Sequence, residues 1–277
     1  MKVIKELPLS ILHSLKYTVL PTNFFTNKSK PTVPVIVSLT SIPQRFGTLN
    51  LVIKSLLNQD TLPEKIILWL NQEHKNIIPN KVKKLESSIF EIRFTKLQCS
   101  HKKLIHTLKD FPDSPIITCD DDLMYRKNWL NIIYKEHRKN PTNIIGIKTS
   151  HINFENGNSL PFKKWRNQFK TSINQKAFVP IGAWGILYPA KSLHNEVFNL
   201  AKMMILAPKA DDLWFKAMAI LNNTISIQAT ETPKEPIPII GTQKVALKKD
   251  NLQKDKNTIQ WQAIDKEYGI NKIILSK

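Results

Sequence analysis

Three consecutive carboxylates, Asp120, Asp121 and Asp122, directly follow the apolar run PIITC at residues 115–119. If extended geometry continues through them, Asp120 and Asp122 point to one side and Asp121 to the other. Two carboxylates converging there repel each other unless a cation lies between them. Hard oxygen donors favour Mg2+ or Mn2+, and a small octahedral ion keeps positions for water and a substrate diphosphate. The same residues also suit a solvated acidic turn, or a cap for the helix beginning near Asn128. A second acidic pair, Asp211 and Asp212, opens the segment DDLWFKAMAILNN. Carboxylates are favoured at a helix N-terminus by capping and by the dipole. Chemically, one of them could serve as a general base for an acceptor hydroxyl.

The elements around these residues decide where they stand. VPVIVSLT (33–40) is a β-branched apolar run suited to a strand buried on both faces. Leu49, Val52, Ile53, Leu56 and Leu57 follow at amphipathic-helix spacing, and KIILWL (65–70) is a second strand. Strand, helix and strand in about forty residues form a parallel βαβ unit. FEIRF (90–94), a helix over 101–110 and PIITC as a further strand continue the pattern. The acidic cluster thus falls beyond a strand's C-terminal end, the edge where open α/β sheets bind ligands. A helix over 128–140, a strand over 143–149, a long polar segment over 151–178 and a helix over 211–223 complete the domain. Two glycines in AFVPIGAWGILYP (177–189) indicate close backbone approach. Beyond residue 230, prolines and lysines predict an irregular, mobile tail.

The chain has 277 residues, 42% of them apolar and 23% charged, enough for one α/β domain and too apolar for disorder. Its formal charge is +19, yet only Arg45, Arg93, Arg126, Arg138 and Arg166 among the 41 basic residues are arginine. Nucleic-acid grips usually add arginine forks to lysine charges. The balance therefore favours anionic surfaces or substrates, such as lipid headgroups and nucleotide phosphates, with no nucleic acid as partner. Cys99 and Cys119 are too few for a disulfide framework, which fits a reduced cytoplasm. No run reaches the roughly 20 apolar residues that span a bilayer. LPLSILHSLKYTVL (7–20) suits either an amphipathic helix on a membrane surface or a helix packed on the domain.

Four segments in order, VSLTSIPQRF (37–46), ITCDDDLMY (117–125), PIGAWGILYP (180–189) and ADDLWF (210–215), resemble bacterial glycosyltransferases of the GT-A fold, similar to family 2 enzymes and their relatives. The resemblance covers about residues 33–225. It implies a mostly parallel, Rossmann-like sheet flanked by helices in a single domain over 33–230, with an N-terminal extension (1–32) and a C-terminal tail or lid (231–277). By this resemblance Thr40, Ser41, Arg45, Lys102, Lys103 and Asp120 bind the nucleotide-sugar donor, and Asp120 with Asp122 holds Mn2+ or Mg2+. Gly182, Trp184 and Gly185 form the acceptor side. The family's acidic pair maps onto Asp211 and Asp212, with Asp212 the favoured base and Asp211 the alternative. Many relatives carry a metal-binding histidine towards the C-terminus, whereas this chain has no histidine after His194. The activity implied is metal-dependent, inverting transfer of a sugar from a nucleotide diphosphate to a glycan or lipid-linked acceptor in lipopolysaccharide or capsule assembly. The competing readings are a basic nucleic-acid or membrane-binding module and a metal-dependent nuclease. Lys244, Lys248 and Lys249 in GTQKVALKKDN (241–251) are the expected lid cations.

Overall fold

In the run VPVIVSLT, alternate residues enter two different cores. Val35, Val37 and Leu39 join one apolar cluster, and Ile36 joins the other. This both-faced burial makes the segment the centre of a layered α/β fold rather than an amphipathic edge. The computed structural model describes residues 2–26, 30–165, 174–242 and 255–276, with side chains from residue 7 onward.

The central sheet has seven strands: β1 (Thr32–Thr40), β2 (Leu62–Asn71), β3 (Phe90–Thr95), β4 (Ile116–Thr118), β5 (Ile144–Gly146), β6 (Ile186–Tyr188) and β7 (Ser226–Gln228), in the spatial order β7-β5-β6-β4-β1-β2-β3. All neighbouring pairs are parallel except those of β6, which is antiparallel to both β4 and β5. The α/β fold with a mostly parallel sheet flanked by helices is the one the sequence predicts.

Helix α1 (Lys2–Val19), α2 (Phe46–Leu57), α3 (Lys102–Asp110), α4 (Trp129–Lys139) and α5 (Asp211–Leu221) lie around the sheet. Leu49, Val52, Ile53 and Leu56 of α2 pack with Leu130 and Ile133 of α4 on the face that takes Val35, Val37 and Leu39. Leu104 and Ile105 of α3 and Leu213, Ala217 and Ile220 of α5 cover the opposite face beside Ile36, Ile67 and Ile116.

The C-terminal expectation needs correction. Residues 255–276 are not an irregular tail: α6 (Lys256–Tyr268) and α7 (Ile270–Leu275) bury Trp261, Ile264, Ile270 and Ile274 in the α5 side of the core. Gly269, at φ 64°, supplies the left-handed turn between the two helices. Residues 243–251 of the predicted lid segment, with Lys244, Lys248 and Lys249, lie outside the described residues, as does Arg166. The long polar segment includes a small hairpin pairing Phe154–Glu155 with Asn158–Ser159. Among the described residues no helix is long and apolar enough to cross a membrane.

Candidate active site

The parallel strands β1 and β4 both end at one sheet edge, and β6 begins there because it runs the other way, with Ile186 opposite Thr118. Three loops consequently meet: Ser41–Arg45 after β1, Asp120–Asp122 after β4, and Gly182–Gly185 before β6. The N-terminus of α5 supplies the fourth element.

On the β1 side, the Thr40 hydroxyl donates to the Trp69 carbonyl at 2.7 Å and so fastens β1 to β2. The Ser41 hydroxyl donates to Asp121 Oδ2 at 2.5 Å, and the Arg45 guanidinium bonds Asp121 Oδ1 and lies 3.2 Å from Asp122 Oδ2. Asp121 is the inward-facing member of the triplet, with its side chain only 5% exposed. Burial raises its carboxyl above the usual range, and Arg45 and Ser41 oppose that rise. Arg45, a guanidinium suited to fork onto a donor phosphate or to fix a carboxylate, spends two of its nitrogens on the carboxylates of the acidic loop. Its buried Nε has no hydrogen-bond partner.

Lys103 is the cation at the centre. Its Nζ lies 2.9 Å from Asp120 Oδ1 and 3.1 Å from Asp211 Oδ2. A buried polar network sets its backbone: the Ser38 hydroxyl donates to the Lys103 carbonyl at 2.5 Å, and Thr107 Oγ1 lies 2.8 Å from both Ser38 Oγ and Trp69 Nε1. Burial works against the ammonium charge, but Asp120, Asp211 and Asp212 outweigh it and keep Lys103 protonated well above the usual lysine range. Lys102, 4% exposed, differs: burial lowers its pKa. The first turn of α3 thus carries one lysine committed to carboxylates and one without such a salt bridge among the described residues.

Around β6 the chain makes close backbone approaches. The Gly182 N–H donates to Asp212 Oδ2 at 2.9 Å, and a Cβ at Gly182 would stand 2.7 Å from Asp212 Oδ1. Gly185 adopts φ 103°, and a Cβ there would stand 2.7 Å from the Trp129 ring. Trp129 Nε1 donates to the Trp184 carbonyl at 2.8 Å, and the Lys148 ammonium lies 4.9 Å from the centre of the Trp184 ring. Tyr125 joins the acidic loop to this one: its hydroxyl accepts from the Asp120 N–H at 2.9 Å and donates to the Ala183 carbonyl at 3.2 Å.

The two members of the second acidic pair have opposite electrostatics. Burial raises Asp211, but Lys103 overcomes it and holds the carboxyl below the usual range. Asp212 is pushed up to about 7 by burial and then by the charge of Asp211. Asp122 is raised to about 6, by burial and then by Asp120. In both carboxyls burial is the larger cause and the neighbouring carboxylate the smaller, with Arg45 opposing the rise at Asp122 and Lys103 opposing it at Asp212. Asp120, with its side chain 34% exposed, is the most open of the triplet. Among the described residues no group of three or more histidine, cysteine or acidic side chains is arranged to hold a metal. The donor set fits an ion that takes two carboxylates from the protein and the rest of its shell from substrate oxygens and water.

All twelve predicted site residues lie around this edge, Thr40 with its hydroxyl turned into the sheet. Tyr125, Trp129, Lys148 and His101 escaped the sequence reading as site residues. Tyr125 stood inside the quoted acidic segment, and its spacing from Asp120 gave no cue to the Ala183 contact. His101 is fully buried against Phe215, and burial drives its imidazole down to about 4, leaving it neutral.

No protein-family model matches the chain, and no curated protein matches it. Among solved structures it is similar to S. aureus TarS 1-349 in complex with UDP-GlcNAc, at 16% identity and a TM-score of 0.45, covering 74% of this chain and 57% of that one. It is also similar to 4-diphosphocytidyl-2C-methyl-D-erythritol synthase from Anaerococcus prevotii, at 11% identity and TM-score 0.45 over 83% of this chain and 99% of that one. A third likeness is to CMP:2-keto-3-deoxy-manno-octonic acid synthetase complexed with CTP, at 9% identity and TM-score 0.42 over 81% of this chain and 100% of that one. The chain spans little more than half of the TarS segment. At these TM-scores the likenesses assign no activity.

Proposed function

We propose that this protein is a glycosyltransferase that moves a sugar from a nucleotide-diphosphate sugar to a glycan or lipid-linked acceptor, by inversion, in cell-surface polysaccharide assembly. The observation that carries the reading is the meeting at one sheet edge of two acidic sets, one after β4 and one at the start of α5, with Lys103 bridging them. Asp120, paired with Lys103, and Asp122, beside Arg45, form the first set, and Asp212, raised to about 7, is anchored by the Gly182 N–H. A carboxyl with that pKa is half ionised at neutral pH and strong enough as a base to take a proton from an attacking hydroxyl.

Asp120 and Asp122 would hold Mn2+ or Mg2+. When bound, the ion neutralises charge on a departing nucleoside diphosphate. The chain's own residues supply the rest. Arg45 and Ser41 fix Asp121, and so fix the loop that presents its two neighbours. Lys103 lies between the acidic sets and holds Asp211 ionised, while the rise of Asp212 comes first from burial and then from Asp211, with Lys103 opposing it. Gly182 orients the Asp212 carboxylate, and Trp184 offers an aromatic face on which a sugar can stack.

The test is incubation with a panel of nucleotide sugars, with and without Mn2+. Mn2+-dependent release of nucleoside diphosphate, together with a rise in melting temperature on adding one donor, is the expected result. Neither response to any donor would remove the reading.

A further inference from the structure

Helix α1 is held against the domain by one face only. The Ser10 hydroxyl, fully buried, donates to the Pro238 carbonyl at 2.6 Å, and Tyr17 is 3% exposed in the core. The Lys54 ammonium clamps the end of the helix, donating to the Tyr17 carbonyl at 2.6 Å and the Leu20 carbonyl at 3.0 Å. The opposite face is apolar and open. Leu7, Ile11, Leu15 and Val19 recur every four residues and, with Leu12, are 39–80% exposed. Every fourth residue stays on one side of a helix, so these side chains make a continuous stripe.

Beside the C-terminal end of that stripe lies a cleft of about 250 Å³, lined by Thr18, Thr22, Asn50, Lys54 and Lys81 among others. Asn50 is 6% exposed, and its Oδ1 has no hydrogen-bond partner. Lys81 stands exposed at the rim, and Lys16 is exposed on α1 itself. A stripe of leucine-type side chains next to hydroxyls and the exposed Lys16 and Lys81 matches an interface with an apolar interior and an anionic surface.

We propose that α1 lies on an anionic lipid bilayer, with Leu7, Ile11, Leu12, Leu15 and Val19 in the acyl region and Lys81, at the rim of the cleft, facing a lipid headgroup. Charge decides between this occupant and a second copy of the chain. Each copy carries +19, so pairing two such faces brings like charges together, whereas an anionic leaflet attracts them. Nucleic acid would engage the lysines and leave the apolar stripe in water. The inference does not depend on the proposed catalytic activity.

Sedimentation of the full chain with phosphatidylcholine vesicles, with and without phosphatidylglycerol, tests it. The wild type should pellet with the anionic vesicles and stay in solution with the neutral ones. Leu12→Ala with Leu15→Ala should weaken partitioning by about tenfold or more, given the apolar area removed. Lys81→Ala should weaken it about fivefold, the effect of one lysine at an anionic surface. Both sites are exposed, so the melting temperature should hold; a variant that melts early is replaced by Val19→Ser, for which the same loss of pelleting is expected. Three results would overturn the proposal: equal pelleting with neutral vesicles, binding untouched by these substitutions, or an analytical-ultracentrifuge dimer that Leu12→Ala with Leu15→Ala dissociates.

Discussion

Gly182→Ala isolates one hydrogen bond at the proposed base. The glycine has no left-handed backbone to defend, so alanine brings little except a methyl group. That methyl would stand 2.7 Å from Asp212 Oδ1 and 3.3 Å from Oδ2, closer than carbon and oxygen tolerate. Helix α5 has no room to retreat, because Leu213, Trp214 and Phe215 are at most 2% exposed. The carboxylate must turn instead, and it loses the Gly182 N–H now at 2.9 Å. A hydrogen bond to a charged group contributes about 1.5–3 kcal/mol, which corresponds to a roughly 10- to 150-fold fall in turnover if the ionised carboxylate acts in the rate-limiting step. Donor affinity should stay within about twofold, a change far below that contribution, since the donor's proposed contacts lie at Asp120, Asp122 and α3. The assay is release of nucleoside diphosphate under saturating donor, with donor binding followed separately by calorimetry. Gly185→Ala serves as the contrast: its φ of 103° and the Trp129 ring at 2.7 Å make that substitution a folding defect, visible as a lower melting temperature. If Gly182→Ala turned over like the wild type, or lost donor affinity and turnover equally, Asp212 would not be an acceptor-side base held by this N–H.

Asp122→Asn removes one anion from the acidic loop while preserving shape, and calorimetric Mn2+ affinity in the presence of donor should fall by about tenfold or more, at least the scale on which losing a partner of a metal ligand acts. Asp212→Asn should abolish transfer. It should also change the pH dependence of stability: the native pKa of about 7 lies above the unfolded value, so the group's contribution is fully present at low pH and is lost as pH rises through about 7. Thermal melts of Asp212→Asn should therefore fall less steeply than wild type between about pH 4 and 7. Lys216 has the opposite sign. It is 2% exposed, donates to Ser226 Oγ at 3.2 Å, and burial pushes its pKa down to about 7. Its penalty is greatest below pH 7 and fades as pH rises towards the unfolded lysine value. Lys216→Met should raise the urea-unfolding free energy near pH 7 by about 1–3 kcal/mol and flatten its climb towards pH 10.

The parts of this fold legible in the sequence are those whose signal is local. VPVIVSLT and KIILWL announce strands because burial on both faces demands unbroken apolar runs. The acidic triplet was placed at the right edge because a carboxylate cluster after an apolar strand can only lie beyond its end. Helices α6 and α7 were missed because Trp261, Ile264, Ile270 and Ile274 are spread across a glycine break among polar residues, giving no regular stripe. The Arg45–Asp121 pair was invisible for another reason: the partners are 76 residues apart, and only the adjacency of β1 and β4 brings them together.

That adjacency explains why the middle carboxylate differs from its neighbours. A loop of three aspartates would repel itself apart without an internal cation, and Arg45 supplies one from the next strand at the cost of its own freedom to meet a phosphate. Asp121 is thereby consumed in holding the loop, while Asp120 pairs with Lys103 and Asp122 meets the second arm of Arg45. Tyr125 then carries the loop's position across to Ala183, and Trp129 does the same to Trp184, so the carbonyls beside Gly182 are set by the acidic loop's own elements. The Gly182 N–H fixes Asp212 in turn. The two acidic sets are distant in sequence but share one rigid chain of hydrogen bonds. Such preorganisation allows charge to develop between them without a large reorganisation of the protein.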